Sequence, residues 1–595
     1  MIGTYAAVVA VCGASLAIGQ AAIALCGQRT WSWLSPAVGL ALLCAICWGT
    51  VRLPGDGVVS AIVVLLLVIA SVAYLWGRLQ GGVEALRAGW PVALVALLAA
   101  SLPFVVEGHF GILGTSFNPD MSQHLLATAR LADGHSSQLL VQGYPLGPHA
   151  IVVALNKGLG VGLVQGFSGL SVAVMVLAPL TVLSAFRDLS FLPRTAGALV
   201  VGLAYAVASY FAQGAFKETF EALFVLAFVL VLRESTGPEW RRLPLRFVSA
   251  ALLAVGAVYA YSFPGLIWLF GTLLIWIGVE YVFGRRPPAW RSLGLGLLVF
   301  AVLVAPEIGR MIDFHKFETF DPNGPGLGNL FGQVSPFEAL GIWPSGDFRL
   351  APGDGAVPAV GYYLGAAFAL ALLVSGVYRG GRRRESALLA GLATAALAYL
   401  AARAGGTAYT AAKAIEIAAP ICALTITLPL LSGFDDWRIE PSIAGSIRQS
   451  RVLALAGAVF VLAAGICSAL ALANAPVGPT TYSPALTGLR PLVANDSTLV
   501  LASPELLTDE HGTPYIAWEL RGGRVCIAAD GELDHLTRGV RFVVTRGTPD
   551  KAPFPALKVH KVAPPYVLWE ATGPVAAKSP CPLIAVRQAR QGPAR

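Results

Sequence analysis

The sequence predicts a polytopic α-helical membrane protein with a small α/β domain at its C-terminal end. Two compositional facts and one break along the chain carry that reading. Of 595 residues, 56% are hydrophobic and only 12% are charged, and the mean hydropathy is +0.70, values that belong to membrane proteins with many spans. Apolar runs of roughly 20 residues, the length that crosses a bilayer, recur along most of the chain. From Pro476 onward they give way to alternating strand and helix signals.

The expected spans are approximately residues 4–26, 34–51, 58–77, 90–106, 164–186, 195–213, 217–233, 246–262, 265–283, 293–309, 357–378, 386–404, 412–432 and 452–473, about fourteen in all. The first has no basic residue ahead of it and no clear cleavage site after it, so it reads as a retained helix. Residues 149–160 form an apolar stretch too short to span, and read as half-inserted. Pro264, Pro306 and Pro420 are expected to interrupt spans.

The net charge of +8 does not point to a nucleic-acid partner, because the basic residues fall in short clusters between spans. Such clusters report topology. The strongest covers residues 378–384 and is expected in the cytoplasm. Residues 187–194, 233–246, 285–291 and 438–451 join it if the spans alternate. Both termini, the loops 107–148 and 310–357 and the C-terminal domain then lie on the extracytoplasmic side of a plasma membrane. The expected organisation is 1–89 as additional N-terminal helices, 90–475 as a transmembrane core and 476–595 as the outer domain.

The polar island at residues 114–155 holds Asp120, His124, Arg130, Asp133, His135 and His149. Asn118-Pro119-Asp120 is a helix-start signal, with a capping Asn, a Pro suited to the first position and an acid in the first turn. The helix runs through Leu125, Leu126 and Ala129 to Gly134, which puts Asp120 and His124 on one face. Read locally, Asp120 is simply a favourable acid at a helix start. Tyr144-Pro145-Leu146-Gly147-Pro148 then turns into an apolar helix that opens with His149.

The second outer loop, 310–357, is rich in Gly and Pro with Phe314, Phe317, Phe320, Phe331, Phe337, Trp343 and Phe348 interleaved. It reads as a loop over the membrane surface closing a substrate cleft, with His315 as a binding candidate; the alternative is an interfacial aromatic belt. Lys217 and Glu218 open a span, and Lys413 and Glu416 sit three apart on another. Charges inside spans are costly and face an interior or a watery cavity. Snorkelling to the headgroups accounts for Arg403 and passably for Lys217. It accounts less well for Lys413 with Glu416, which read either as an ion pair with each other or as ligand-binding.

In the C-terminal domain, strands are expected at 497–502, 524–528, 540–545, 557–562 and 566–571, with a helix at 513–520. No nucleophile elbow, phosphate-binding glycine loop or metal-ligand spacing occurs there. Cys12, Cys26, Cys44, Cys47, Cys422 and Cys467 lie in apolar spans as packing residues. Cys526 and Cys581 lie in the outer domain, where a disulfide between them is a hypothesis.

These features together resemble the GT-C superfamily of integral membrane glycosyltransferases: many spans, an acid in the first large outer loop, and a C-terminal outer domain. Tyr144-Pro145-Leu146-Gly147-Pro148-His149 is similar to the Tyr-Pro-x-Gly-x-His segment of large actinobacterial membrane proteins related to that superfamily. Phe216-Lys217-Glu218 and Ala412-Lys413-Ala414 are similar to theirs too. The likeness covers roughly residues 90–475. It implies transfer of a sugar, with inversion, from a polyprenyl-phosphate donor to a cell-envelope glycan, lipid or protein acceptor. An outer-loop carboxylate would be the general base, and the matching position is Asp120. Members often show paired acids, whereas Met121 follows Asp120; Glu107, Asp133 and Glu218 are candidates for the second acid. The departing phosphate needs a cation or a divalent metal, and His124, His149 and Lys413 are phosphate candidates. Tyr144, Lys217, Glu218, His315 and Glu416 complete the expected substrate-binding set. Two other classes fit the same composition: a lipid-linked glycan flippase, and a non-catalytic envelope-assembly protein. The first would more often carry internal repeats, and none is evident.

Overall fold

The structure is a computed structural model. It describes residues 1–115, 117–118, 120–134, 137–237, 245–285, 290–316, 326–355, 357–439, 444–481, 483–494, 496–502, 512–522, 524–529, 540–550, 552–553 and 556–572. The chain forms two compact units. One comprises 1–118 and 142–477, the other 119–141 and 478–595.

The first unit is a helical bundle. Among the described residues, ten helices are long and apolar enough to cross a membrane, or eleven if one bent pair counts as a single span. A helix occupies each of the fourteen expected stretches, but they are not fourteen equivalent spans. Val248–Ala260 has 13 residues and is about 20 Å long at 1.5 Å per residue, short of the ~30 Å hydrocarbon core. Ser35–Thr50, with 16 residues, is also short. The stretch expected at 195–213 is the pair Phe191–Gly202 and Tyr205–Ala212, bent by 50°.

Of the three prolines expected to interrupt spans, Pro306 does so within Trp290–Phe314 and the other two do not. Pro264 sits in the first turn of Phe263–Val282 and starts that helix, because its missing N–H costs nothing there. Pro306 lies in a 3₁₀ turn, Ala305–Glu307, ahead of Ile308–Phe314. Pro420 lies inside Ala408–Ile439 without ending it.

Buried small residues set the helix spacing. A Cβ on Gly39 would stand 1.8 Å from the Ser15 carbonyl oxygen, and one on Gly19 would stand 2.0 Å from that of Ser35. Ile2–Leu25 and Ser35–Thr50 can approach this closely only because both positions lack side chains. Leu163–Phe186, rich in Gly and Ser, is buried along its whole apolar window. Asp56–Leu75 is 11% buried over its window. Its Leu65, Leu66 and Ile69 are exposed, which suits a lipid-facing helix.

The second unit contains the expected small α/β fold and, in addition, residues 119–141, which the sequence assigns to an outer loop of the core. Among the described residues its sheet has five strands, Ser497–Ala502, Arg524–Ala529, Phe542–Arg546, Leu557–Ala563 and Tyr566–Ala571, at the positions the alternation predicts. The first pairs in parallel with the second and third. The last two form an antiparallel hairpin, joined to the third strand through Tyr566–Ala571. Helices Pro484–Val493 and Gly512–Glu519 supply Leu486, Leu489, Val493 and Ile516 to the core, with Leu520 just after the second helix, where they meet Val500, Phe542, Val544 and Leu568. Cys581 lies outside the described residues, and so does the disulfide hypothesis.

Candidate functional site

The bundle has two polar ends. At one, Arg233 makes a two-point ion pair with Glu385 at 2.8 and 3.1 Å, and Arg285 pairs with Glu280 at 3.1 Å. The Phe216–Ser235 helix links this end to the other. It runs from Phe216 to Ser235, and at 1.5 Å per residue its first turn lies about 23 Å from Arg233, most of the way across a hydrocarbon core. That first turn carries Lys217 and Glu218.

The turn before Tyr144 is clamped. Gly143 has φ +71°, and a Cβ there would stand 2.3 Å from the Arg310 carbonyl oxygen; a side chain is excluded twice over. Arg310 donates from Nη1 to the Gly143 carbonyl at 3.0 Å and from Nη2 to the Val258 carbonyl at 2.9 Å. Its Nε donates to Glu307 at 2.5 Å. Buried Glu307 also accepts from Trp48 Nε1 at 2.9 Å and Arg52 at 3.1 Å. Neither Glu307 nor Arg310 carries a motif, and their partners lie more than 150 residues away in sequence for Trp48, Arg52 and Gly143. Local pattern therefore offered no signal for this clamp.

The clamp holds an aromatic step. The Tyr144 ring stands edge-on to Phe314 at 5.6 Å and to His149 at 6.2 Å. Lys217 Nζ lies 4.1 Å from the Tyr144 ring centre, a cation–π geometry. His149 is wholly buried, with Phe167 and Phe216 at 5.5 and 5.6 Å. His315 is set apart: it is exposed and its ring lies 5.8 Å from Phe263.

Beside this step Lys413 reaches across to Glu218, Nζ to Oε1 at 2.9 Å, and lies 4.3 Å from the Tyr409 ring centre. The sequence reading had offered Lys413 an ion pair with Glu416 on its own helix. The structure gives it a partner on the facing helix, because the packing of Phe216–Ser235 against Ala408–Ile439 brings Glu218 closer. Tyr144, His149, Lys217, Glu218, Lys413 and Glu416 are thus collected within the first unit from three separate stretches of chain. Glu221, one turn below Glu218 and fully buried, joins them; it was not singled out from the sequence.

Asp120 and His124 belong to the second unit. Asp120 opens the helix Asp120–Ala132 and is half-buried, and His124 is buried one turn later. That helix packs against Gly512–Glu519, with Leu126 against the core. The chain leaves the first unit at a fixed point just before it: the Phe117 carbonyl accepts from Asn329 at 3.0 Å and from Arg349 at 3.1 Å. The Arg349 guanidinium lies 4.2 Å from the Phe117 ring centre and 4.5 Å from that of Phe331, and Asp347 pairs with it at 2.8 Å.

The candidates for a second acid differ in setting. Glu107 is exposed at the end of Gly82–Val106, and Glu218 is engaged by Lys413. Asp133 is exposed and interacts with Arg521, which burial and then Arg490 push down to about 10 while Glu519 and Asp133 oppose them. Among the described residues no three His, Cys, Asp or Glu side chains are grouped to hold a metal ion.

No protein-family model and no curated protein sequence matches this chain. Solved structures do. The arabinofuranosyltransferase AftD from mycobacteria is similar over 82% of this chain, with a TM-score of 0.52 and 16% identity. This chain spans 40% of AftD's length. ArnT from Cupriavidus metallidurans, bound to undecaprenyl phosphate, covers 84% of this chain and is itself covered fully, at TM-score 0.45 and 14% identity. The archaeal oligosaccharyltransferase AglB from Archaeoglobus fulgidus, in complex with an inhibitory peptide and a dolichol-phosphate, covers 78% of this chain and 70% of its own, at TM-score 0.39 and 13% identity. At these identities the likeness is one of fold.

Proposed function

We propose that this chain, which has the fold of the GT-C membrane glycosyltransferases, transfers a sugar from a polyprenyl-phosphate carrier to a cell-envelope acceptor on the outer face of the membrane. The observation that carries the reading is the buried Lys413–Glu218 pair beside Lys217 on Tyr144, a cationic and aromatic site at the end of the bundle opposite the arginines. Such a site suits an anionic headgroup on a lipid tail. Charges at this depth are retained where they have work to do.

In this reading Asp120 takes the proton from the acceptor hydroxyl. The acceptor oxygen bonds to the anomeric carbon from the face opposite the phosphate, and the carbon–phosphate oxygen bond breaks with its electron pair on the phosphate. The configuration inverts. Lys217 and Lys413 offset the growing phosphate charge, and the aromatic wall around His149 keeps water away from it. The second unit serves acceptor binding.

The test is transfer of radiolabelled sugar from a panel of polyprenyl-phosphate donors by purified wild type and Asp120→Asn. The expected result is transfer by wild type and a loss of at least about a hundredfold in the variant, the scale of a general base. Absence of transfer from every donor, with both proteins folded, would replace this reading with a flippase or an assembly protein.

A further inference from the structure

Glu221 and Glu416 sit one helical turn beyond Glu218 and Lys413 respectively, in each case three residues on. The two helices therefore face each other with matched pairs. The outer rung is the Lys413–Glu218 ion pair at 2.9 Å. The inner rung is two carboxyls, both wholly buried. All four of their oxygens lack a hydrogen-bond partner among the described residues. Two further buried polar atoms nearby are also without a partner: the Tyr210 hydroxyl, which faces Glu218, Glu416, Lys413 and Tyr409, and Ser262 Oγ, next to Tyr261.

The geometry is informative about charge. Lys413 is one turn from Glu416 on the same helix, yet its ammonium crosses to Glu218. An ionised Glu416 would compete for that ammonium, since an unpaired carboxylate inside a bundle is far costlier than a paired one. The groups facing Glu416 are Glu218 and Glu221 from one helix, Lys413 from its own, and Tyr210 and Tyr261 from two others. The three carboxyls face two lysines, Lys413 between the rungs and Lys217 beside Glu218 alone. Ionised together they would leave a net negative charge at the inner rung, in an apolar interior that Lys217 does not face.

We propose that Glu221 and Glu416 are held as neutral carboxylic acids, and that Glu416 is a positioning residue: by keeping its proton it leaves Lys413 to Glu218. Loss of that proton draws Lys413 one rung inward and removes it from the phosphate site. The device thus regulates the site described under the proposed function, and its catalytic consequence rests on that reading. It makes the site fail at alkaline pH.

Infrared spectroscopy of the purified protein in detergent tests the protonation directly. Glu221→Gln and Glu416→Gln, isosteric with the neutral acid, are each expected to remove part of the carboxylic-acid C=O band at pH 7. A band unchanged by both substitutions overturns the proposal, whatever the transfer assay gives. The coupling is read from the pH profile of transfer, whose alkaline limb is expected to move upward by at least one pH unit in Glu416→Gln. An unmoved limb overturns the positioning role even if the band is lost. If wild type transfers no sugar, the alkaline fall in melting temperature replaces the pH profile: it is expected to flatten in Glu416→Gln, and an unchanged slope counts against the coupling.

Discussion

Glu218 and Lys413 show how a single contact can be worth little as a pair and much as a partnership. Both are buried, at 3% and 13% side-chain exposure, so removing one partner leaves the other charge uncompensated. Glu218→Ala is expected to cost about 3–5 kcal/mol, whereas replacing both by apolar residues of similar volume costs far less. A thermal-melting double-mutant cycle in detergent checks this, and equal losses in the single and double variants would refute it. Ser262 is the other residue under tension. Its φ of +73° and ψ of −157° lie in a region essentially reserved for glycine, at a cost of about 1–3 kcal/mol. Ser262→Gly is expected to raise the melting temperature; a fall would mean that the side chain, not the backbone, sets this turn.

Elements matter where loops are locked to helices. The 3₁₀ turn Pro336–Leu340 carries Glu338, which is buried. Burial holds its carboxyl well above the usual carboxylate range; the Ser335 backbone hydrogen bond works against this and Asp347 adds to it. The folded state therefore binds this proton more tightly than the unfolded state does. Stability contributed by the neutral form is complete at acid pH and declines as pH rises from about 4.3, the unfolded value, toward the folded one. Glu338→Gln is expected to flatten that decline, so that wild type and variant melt together near pH 4 and diverge at pH 7 with the variant higher. Parallel curves would place the pH dependence elsewhere. The same logic of locking explains Gly143, where Arg310 fastens the turn before Tyr144, and Phe117, which Arg349 and Asn329 fasten before Asp120.

For the whole molecule, sidedness has the largest consequence for function. The arginines at 379–384 and the Lys413–Glu218 site mark opposite ends of the bundle, and the positive-inside rule assigns the arginine end to the cytoplasm. In an otherwise cysteine-free protein, Ala351→Cys is expected to react with a membrane-impermeant thiol reagent in intact cells. Arg382→Cys is expected to react only after permeabilisation. The reverse pattern would turn the molecule over and remove the case for an outer-face acceptor.

Composition and periodicity were sufficient for the bundle, the five strands of the small domain and the helix that begins at Asp120. Each of these depends on local signals: apolar runs of fixed length, period-two alternation, and a cap followed by proline and an acid. The same signals could not say that Val248–Ala260 is too short to cross, since the apolar run continues past the helix end through Tyr261 and the strained Ser262. Individual site residues were legible as misplaced charges, and Lys217, Glu218, Lys413 and Glu416 all drew notice as ionisable groups in apolar surroundings. Their pairing was not legible. Lys413 had Glu416 three residues away and took Glu218, some two hundred residues distant, because helix packing and the cost of a buried charge outweigh closeness in sequence. Glu307, Arg310 and Glu221 stayed hidden for the same reason: their roles come from partners that only the fold brings near.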